Sequence, residues 1–321
     1  MTDSNPHCSS PCSGGGPRPE KVQWQEMFPD ELAEARDRFP LCYMPYGLCE
    51  PHGPQNAIGL DGLKAHALCV RAAREHGGVV APPVFWHMAE GSPVNRRFME
   101  RVNVAYAESF LTCIPSELFL KTFLYQIRSV IQRGFRSFIA VTGHYGGIEE
   151  DMRDVAAAFY RHCGAPHWVI ADHQCMYHKD FAGDHAGKCE TSQLWALRPE
   201  LVDISRLPEE DGWTGFASSS KARVASRRTG EHIVASQVAS LGDAARRLVA
   251  CAPTELPSID MDRTETIWQE YLEDEFALRS FRFKTVEDWD REAQPRLQVH
   301  RENRQTYQGR MPPQPWEAET A

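Results

Sequence analysis

Three short segments, far apart in the chain, carry the side-chain types that bind divalent metal ions. Together they offer four carboxylates and three imidazoles, and they lie at residues 50–61, 142–147 and 184–192. Carboxylate oxygens and neutral imidazole nitrogens suit zinc, manganese or ferrous iron. Two such ions that share one carboxylate would hold a hydroxide ready for attack at neutral pH. These residue types make metal-assisted hydrolysis the leading hypothesis.

The spacing of the first segment brings its candidate ligands together. Glu50 and His52 are two residues apart, so on an extended segment both side chains point to the same side. Gly53 and Pro54 then impose a turn, and the loop returns Asp61 to the start of the next helix. The alternative is a surface Glu–His pair followed by an aspartate that only caps a helix, because aspartate is a favoured capping residue.

The other two segments supply ligands and a proton donor. His144 follows a buried apolar strand, and the glycines beside it let the backbone approach a ligand closely. Glu190 opens a predicted helix, from which it either reaches a metal or complements the helix N-terminus. His185 lies five residues earlier and does not share the face of Glu190. We therefore expect it to protonate a leaving nitrogen.

Aromatic residues beside these segments are candidates for the substrate pocket. Tyr145 directly follows the strand-end histidine, while Trp86 and His87 form a turn after another predicted strand. Tyr145 either contacts substrate or packs against the protein, since its ring is mostly apolar with one polar end. We expect these three residues to bind substrate, and His185 and Glu190 to be catalytic.

The elements that must position these residues alternate between strands and helices. Short apolar runs predict strands, and apolar residues at helical spacing predict helices of 12 or more residues between them. Such alternation is typical of a mostly parallel sheet with helices on both faces, in which ligands bind beyond the carboxyl ends of the strands. The predicted strands are 41–46, 79–86, 135–142 and 167–172, and the predicted helices are 23–38, 61–76, 116–133, 149–162, 192–197 and 231–250.

Composition limits the classes of partner. The net charge is -9 over 321 residues, which disfavours a general nucleic-acid binder because such binding needs a basic surface. We find no apolar run of the roughly 18 residues that span a bilayer, so we expect no membrane partner. The ten cysteines contain no Cys-x-x-Cys pair, which favours free thiols in the reducing cytosol and a cytoplasmic location.

The chain divides into three predicted parts. Residues 1–22 are rich in Ser, Gly and Pro and should form a disordered N-terminal tail. Residues 23–252 hold all three segments in a single main α/β domain. Residues 253–321 read as a C-terminal extension, partly helical, that wraps the surface or a neighbouring subunit.

Taken together, the segments resemble the creatinine amidohydrolase (creatininase) family. The matching motifs are Glu50-Pro-His52-Gly-Pro with Asp61 behind it, Thr142-Gly-His144-Tyr, and His185-Ala-Gly-Lys-Cys-Glu190-Thr-Ser. The resemblance covers residues 40–250 and implies a creatininase-like α/β/α sandwich with two divalent metal ions (Zn, Mn or Fe) per subunit. It also implies a homo-oligomer, often a hexamer.

The same resemblance implies a role for each ligand. Asp61 would bridge the two ions, Glu50 and His144 would complete one site, and His52 and Glu190 the other. Gly146 stands where creatinine-hydrolysing members carry a glutamate, so Glu190 is the expected second-site carboxylate. The segment 85–91 also departs from the family's Gly-x-Ser-x-x-His-like run, which weakens any transfer of substrate.

Three functions follow as hypotheses. The first is hydrolysis of a small cyclic amide or related amide by a water that a dinuclear metal site activates. The second keeps the site but opens a keto-cyclitol ring by C–C cleavage, because both reactions need a polarised carbonyl. The third is a non-catalytic metal-binding or scaffold protein, and metal-free purified protein with an intact fold would favour it.

Overall fold

A parallel sheet lies at the centre of the molecule, with helices on both faces. The computed structural model describes residues 21–88, 110–176, 183–214, 217–274 and 277–278. Every neighbouring pair of strands in this sheet is parallel, and the strand order is β2-β1-β3-β4. This arrangement confirms the predicted α/β class. The strands are β1 (Leu41–Tyr46), β2 (Val79–Val80), β3 (Ser137–Thr142) and β4 (His167–Ala171).

Two separate apolar layers, one on each face of the sheet, explain why the strand sequences are continuously apolar. Successive strand residues face opposite sides of a sheet. In β1, Cys42 and Met44 face one layer, whereas Leu41 and Tyr43 face the other. Burial on both faces therefore removes any polar alternation. The layers are built from helices α1 (Pro29–Arg38), α2 (Leu60–His76), α3 (Ser116–Gln132), α4 (Ile148–Cys163), α5 (Lys188–Leu197), α6 (Ser219–Ala222), α7 (Arg227–Cys251) and α8 (Met261–Glu273).

The helices divide between the two layers. One layer contains α3, α4 and α8, and the other contains α2 and α7. Helix α8 belongs to the predicted extension, yet its Ile267, Trp268 and Tyr271 are buried in the first layer. This part of the extension therefore packs on the main body. A short antiparallel pair, β5 (Trp213–Thr214) and β6 (Ala217–Ser218), precedes α6.

Two predicted elements, one strand and one helix, have wrong boundaries for identifiable reasons. The predicted strand 79–86 ends at Val80, and Val84 makes only an isolated bridge to Tyr46. Pro82 and Pro83 between them lack the N–H groups that a strand ladder needs. The predicted helix 23–38 is a single turn at Trp24–Glu26 followed by α1, which starts with a proline at its first position.

Two helices start earlier than predicted because polar side chains cap them. The Asp184 carboxylate accepts hydrogen bonds from the backbone N–H groups of Cys189 (2.9 Å) and Glu190 (3.0 Å), so α5 begins at Lys188. The Ser226 hydroxyl accepts one from Thr229 N (3.1 Å) at the start of α7.

Some predictions fall on other parts of the chain. The predicted tail at 1–20 and the extension at 275–276 and 279–321 lie outside the described residues. Among the described helices, none combines the length and apolar character that crossing a membrane requires. The cysteines of the described ranges are free thiols.

Candidate metal centre

The predicted ligands meet at the carboxyl edge of the sheet. Glu50 and His52 lie on the loop after β1, and His144 follows β3. Asp61 is in the first turn of α2, and Glu190 is in the first turn of α5. All five side chains are buried. These residues, Glu50, His52, Asp61, His144 and Glu190, are called the Asp61 cluster below.

Close backbone contact brings the start of α2 between the ends of β1 and β3. A Cβ added to Gly143 would lie 2.1 Å from the carbonyl oxygen of Asp61, and one added to Gly47 would lie 2.3 Å from Gly62 N. Only glycine permits such an approach. The glycine before His144 therefore allows Asp61 and His144 to become neighbours.

The two oxygens of the Asp61 carboxylate face different partners. Oδ1 lies 3.3 Å from His52 Nε2, and Oδ2 lies 3.2 Å from His144 Nδ1. Glu50 Oε1 lies 3.1 Å from the same His144 nitrogen, and Glu190 Oε2 lies 3.5 Å from His52 Nε2. Two donor groups result, each with its ligand atoms within 4.8 Å of one another: Glu50–Asp61–His144 and His52–Asp61–Glu190.

The donor atoms of His52 fit a metal ion. Its Nδ1 lies 3.0 Å from the carbonyl oxygen of Glu50, which can only accept, so Nδ1 carries the proton of the neutral ring. Nε2 then presents its lone pair to the carboxylates. This buried atom makes no well-aligned hydrogen bond within the described ranges, although three carboxylates lie within 3.7 Å. A metal-binding histidine is typically held in this way.

The charges in the cluster shift the pKa values of its members. Burial alone would lower the pKa of both histidines, but the neighbouring carboxylates raise it to about 9 for His52 and about 10 for His144. Burial opposes ionisation of Asp61, yet His52, His144 and Lys64 hold its pKa well below the usual range. In the metal-free protein the carboxylates therefore attract protons to the two rings, and a bound cation would displace them.

A hydrogen-bond network joins the first and third motifs. The Asn56 side-chain amide donates to the carbonyl oxygen of His52 (2.9 Å) and to Thr191 Oγ1 (3.0 Å). The Gln55 amide donates to the carbonyl oxygen of Ala186 (3.1 Å), whose own N–H donates to Glu190 Oε2 (2.7 Å). The loop after β1 and the start of α5 therefore hold His52 and Glu190 together.

Lys64 and Asp172 also reach the cluster, and both were missed in the sequence. The Lys64 ammonium contacts Glu190 Oε1 and lies 3.4 Å from Asp172 Oδ2 and 3.7 Å from Asp61 Oδ1. Asp172 directly follows β4, at the same sheet edge as His144. The signal was present, because Lys64 interrupts the apolar face of α2 between Leu60 and Leu68.

His185 lies at the side of the cluster that solvent reaches. Its side chain is 32% exposed, and its ring centroid is 4.5 Å from that of His52. His185 Nε2 lies 3.1 Å from the carbonyl oxygen of Pro51, and Nδ1 lies 3.9 Å from Glu50 Oε1. The carbonyl can only accept, so the neutral ring carries its proton on Nε2 and its lone pair on Nδ1.

Tyr145 lies beside the Asp61 cluster, whereas Trp86 is exposed and His87 is buried. The Tyr145 hydroxyl donates to the carbonyl oxygen of Asp184, and Lys64 Nζ lies 4.9 Å from its ring centroid. Trp86 is 57% exposed. His87 is fully buried, stacks on Phe119, and lies with its ring centroid 5.6 Å from that of His144. Burial lowers the pKa of His87 to about 3, so its ring is neutral. This neutral ring packs beside the ring of His144.

Comparisons with known proteins identify a family and several related proteins. A family model, Creatininase: Creatinine amidohydrolase, matches residues 25–246. A creatinine amidohydrolase of Pseudomonas putida is 25% identical over 261 residues, which cover 70% of this chain and 95% of that protein. A mutant creatininase complexed with creatine has a TM-score of 0.55 at 25% identity, covering 71% of this chain and 98% of its own. A structure described as creatininase Mn has a TM-score of 0.56 at 24% identity, covering 70% and 98%.

Proposed function

The chain belongs to the creatininase family, whose model spans most of its length, and from that membership we propose a dinuclear metallohydrolase of small cyclic amides. Members of this family are metal-dependent amidohydrolases. The finer proposal is that Asp61 is shared by two divalent ions and that the bond cleaved is the C–N bond of a small cyclic amide or related amide.

One observation carries this proposal. Asp61 directs Oδ1 to the His52–Glu190 group and Oδ2 to the Glu50–His144 group. A carboxylate that faces two separate donor groups is suited to bridge two ions. We therefore assign Glu50, Asp61 and His144 to one ion and His52, Asp61 and Glu190 to the other. Zn, Mn and Fe all suit such mixed donors.

The chemistry divides between the ions and the protein. When bound, the two ions would supply a water of lowered pKa and polarise the substrate carbonyl. His185 Nδ1 then accepts a proton as the water attacks and returns it to the leaving nitrogen, which keeps the proton balance. Its exposure and its position beside Glu50 support this role.

Other residues are proposed to bind the substrate or to position a metal ligand. The hydroxyl of Tyr145 stays protonated, because burial and the nearby carboxylates of Glu190 and Asp172 raise its pKa well above its ordinary value. We propose that Tyr145 and the exposed Trp86 contact the substrate. His87 is assigned to positioning, since its buried ring supports His144. The expected homo-oligomer and cytoplasmic location stay predictions.

The test measures metal content and hydrolysis together. Wild-type protein, Asp61→Asn and the surface control Asp262→Asn are each loaded with Mn²⁺, and assayed on a panel of cyclic amides that includes creatinine. We expect two ions per chain and hydrolysis for the wild type and the control, and loss of both for Asp61→Asn. The same proteins are also assayed on keto-cyclitols. Cleavage of keto-cyclitols alone, or normal activity in Asp61→Asn, would overturn the proposal.

A further inference from the structure

A buried lysine lies against one of the two proposed metal positions. The Lys64 side chain has no solvent exposure, and it lies one helical turn after Asp61 on α2. Its ammonium contacts Glu190 and also lies near Asp172 and Asp61. A lysine seldom occupies such a position unless its charge is paired. Here the pairing partners include two of the proposed metal ligands.

The contacts of Lys64 are unequal between the two donor groups. In the His52–Asp61–Glu190 group, the ammonium contacts Glu190 Oε1 and lies 3.7 Å from Asp61 Oδ1. In the Glu50–Asp61–His144 group, the histidine faces Asp61 Oδ2 instead, and no ion pair joins Lys64 to Glu50 within the described part of the chain. The lysine charge therefore acts mainly on one group.

We propose that Lys64 is a built-in cation that makes the two metal positions unequal. The Glu50–Asp61–His144 position binds its ion tightly, and the His52–Asp61–Glu190 position binds its ion weakly because Lys64 repels it and shares its carboxylates. This inference rests on the proposed metal centre and adds a difference in affinity that the ligand set alone does not contain.

Electrostatics sets the direction and the size of the effect. An ammonium and a dication a few ångströms apart, at the effective dielectric of about 20 for protein sites, repel each other enough to weaken binding by more than about tenfold. In the metal-free chain the same ammonium offsets the repulsion between Asp172, Glu190 and Asp61. Lys64 therefore favours the metal-free fold and opposes only the second ion.

The experiment is a Mn²⁺ titration by isothermal calorimetry, with bound metal checked by equilibrium dialysis. For wild-type protein we expect two binding steps whose dissociation constants differ by about tenfold or more. In Lys64→Met the weaker step should tighten by about tenfold or more while the tighter step changes by less than about threefold. Lys121→Met removes a lysine that pairs with Glu265 instead, and should behave as wild type.

A second variant keeps the test informative if Lys64→Met does not fold. Lys64→Met/Asp172→Asn removes both members of a buried ion pair, which proteins tolerate better than loss of one member. Two equal steps in the wild type, or a second step that stays unchanged or weakens without Lys64, would contradict the inference while leaving the metal centre intact. Absence of Mn²⁺ binding in every protein would overturn the metal centre itself.

Discussion

Two groups of mostly buried polar and charged side chains lie at the carboxyl edge of the sheet, and they differ in how completely their polar atoms are hydrogen-bonded. The Arg153 cluster consists of Glu149, Glu150, Arg153 and Gln174. Arg153 donates to Glu150 Oε1 (3.1 Å) and Gln174 Oε1 (2.7 Å), and Gln174 donates to Glu149 Oε1 (2.8 Å). Glu149 Oε2 accepts the N–H of Gly147 (3.1 Å) at the start of α4.

The Asp61 cluster lacks such a complete set of hydrogen bonds among its members. His52 Nε2 is surrounded by carboxylates at 3.3–3.7 Å without a well-aligned hydrogen bond. Buried polar atoms in native proteins are normally paired, so such an atom needs an explanation. The Arg153 cluster is hydrogen-bonded within itself and serves the fold, whereas the proposed metal centre would account for the unpaired nitrogen of the Asp61 cluster. Burial and charge alone do not distinguish the two clusters. The unpaired nitrogen of His52 does.

The largest expected difference is in the pH dependence of the metal-free protein. The carboxylates raise the pKa of His52 to about 9 and that of His144 to about 10, against 6.5 in an unfolded chain. The folded state therefore binds more protons, so this stabilisation is full below about pH 6.5 and is lost as pH rises through 9 to 10. We expect a loss on the order of 5 kcal/mol in denaturant unfolding of chelator-treated protein.

Metal loading sharpens this prediction. Bound cations displace the two protons, so the metal-loaded protein should lose little stability over the same interval. Calorimetry in buffers of different ionisation enthalpy should report proton release when Mn²⁺ binds near pH 7.5. A metal-free protein whose stability is flat from pH 6.5 to 10 would show that the cluster holds no extra protons.

Removing Arg153 should damage the fold and spare the metal. Arg153→Met removes the guanidinium that pairs with the buried Glu150 carboxylate, and breaking a buried ion pair typically costs about 3–5 kcal/mol. We expect a large drop in unfolding midpoint with an unchanged metal content per folded chain. Arg161→Met, at an exposed position on the same helix, is the matched control. Metal loss in folded Arg153→Met would contradict the assignment of the Arg153 cluster to the fold and of the Asp61 cluster to the metal.

Removing His185 should spare both fold and metal but reduce turnover. His185→Gln is expected to lower kcat by about 10²–10³-fold with metal content retained, because general acid–base catalysis contributes effects of this size. His232→Gln, at an exposed position on α7, is the control. If the metal content of His185→Gln falls instead, the histidine is a ligand, as its place in a third donor group with Glu50 and His52 would allow.

The smallest effect is expected from the network that supports the cluster. Asn56→Ala removes hydrogen bonds to the backbone of His52 and to Thr191. Loss of such supporting contacts typically lowers metal affinity by about 10-fold or more, without abolishing binding. Gln25→Ala, at an exposed position, should leave the Mn²⁺ dissociation constant unchanged.

Local patterns were enough to predict part of the site. His144 at a strand end, Asp61 in the first turn of a helix and Glu190 after a glycine each carry a signal in neighbouring residues, and the structure brings them together. Their assigned roles as ligands stay predictions. The parallel sheet follows from strands and helices in alternation, and Pro82 and Pro83 are the sequence signal that β2 ends early.

The remaining features depend on residues distant in sequence. Lys64 is visible in the sequence as a break in the apolar face of α2. Its partners Asp172 and Glu190 are more than a hundred residues away, so the sequence does not show what the ammonium contacts. Trp86 and His87 are adjacent, and neighbours on an extended segment point to opposite sides. Sequence alone did not indicate which of the two was exposed, and only the packing of Phe119 on His87 decides it.

The sharing of Asp61 between two ions is the central claim, and electron paramagnetic resonance of Mn²⁺-saturated protein tests it most directly. Two Mn²⁺ ions joined by one carboxylate couple magnetically and give a broad spectrum unlike that of isolated ions. We predict that coupled spectrum at two ions per wild-type chain. A simple six-line spectrum at saturation, whether from one ion or from two uncoupled ions, would contradict the account.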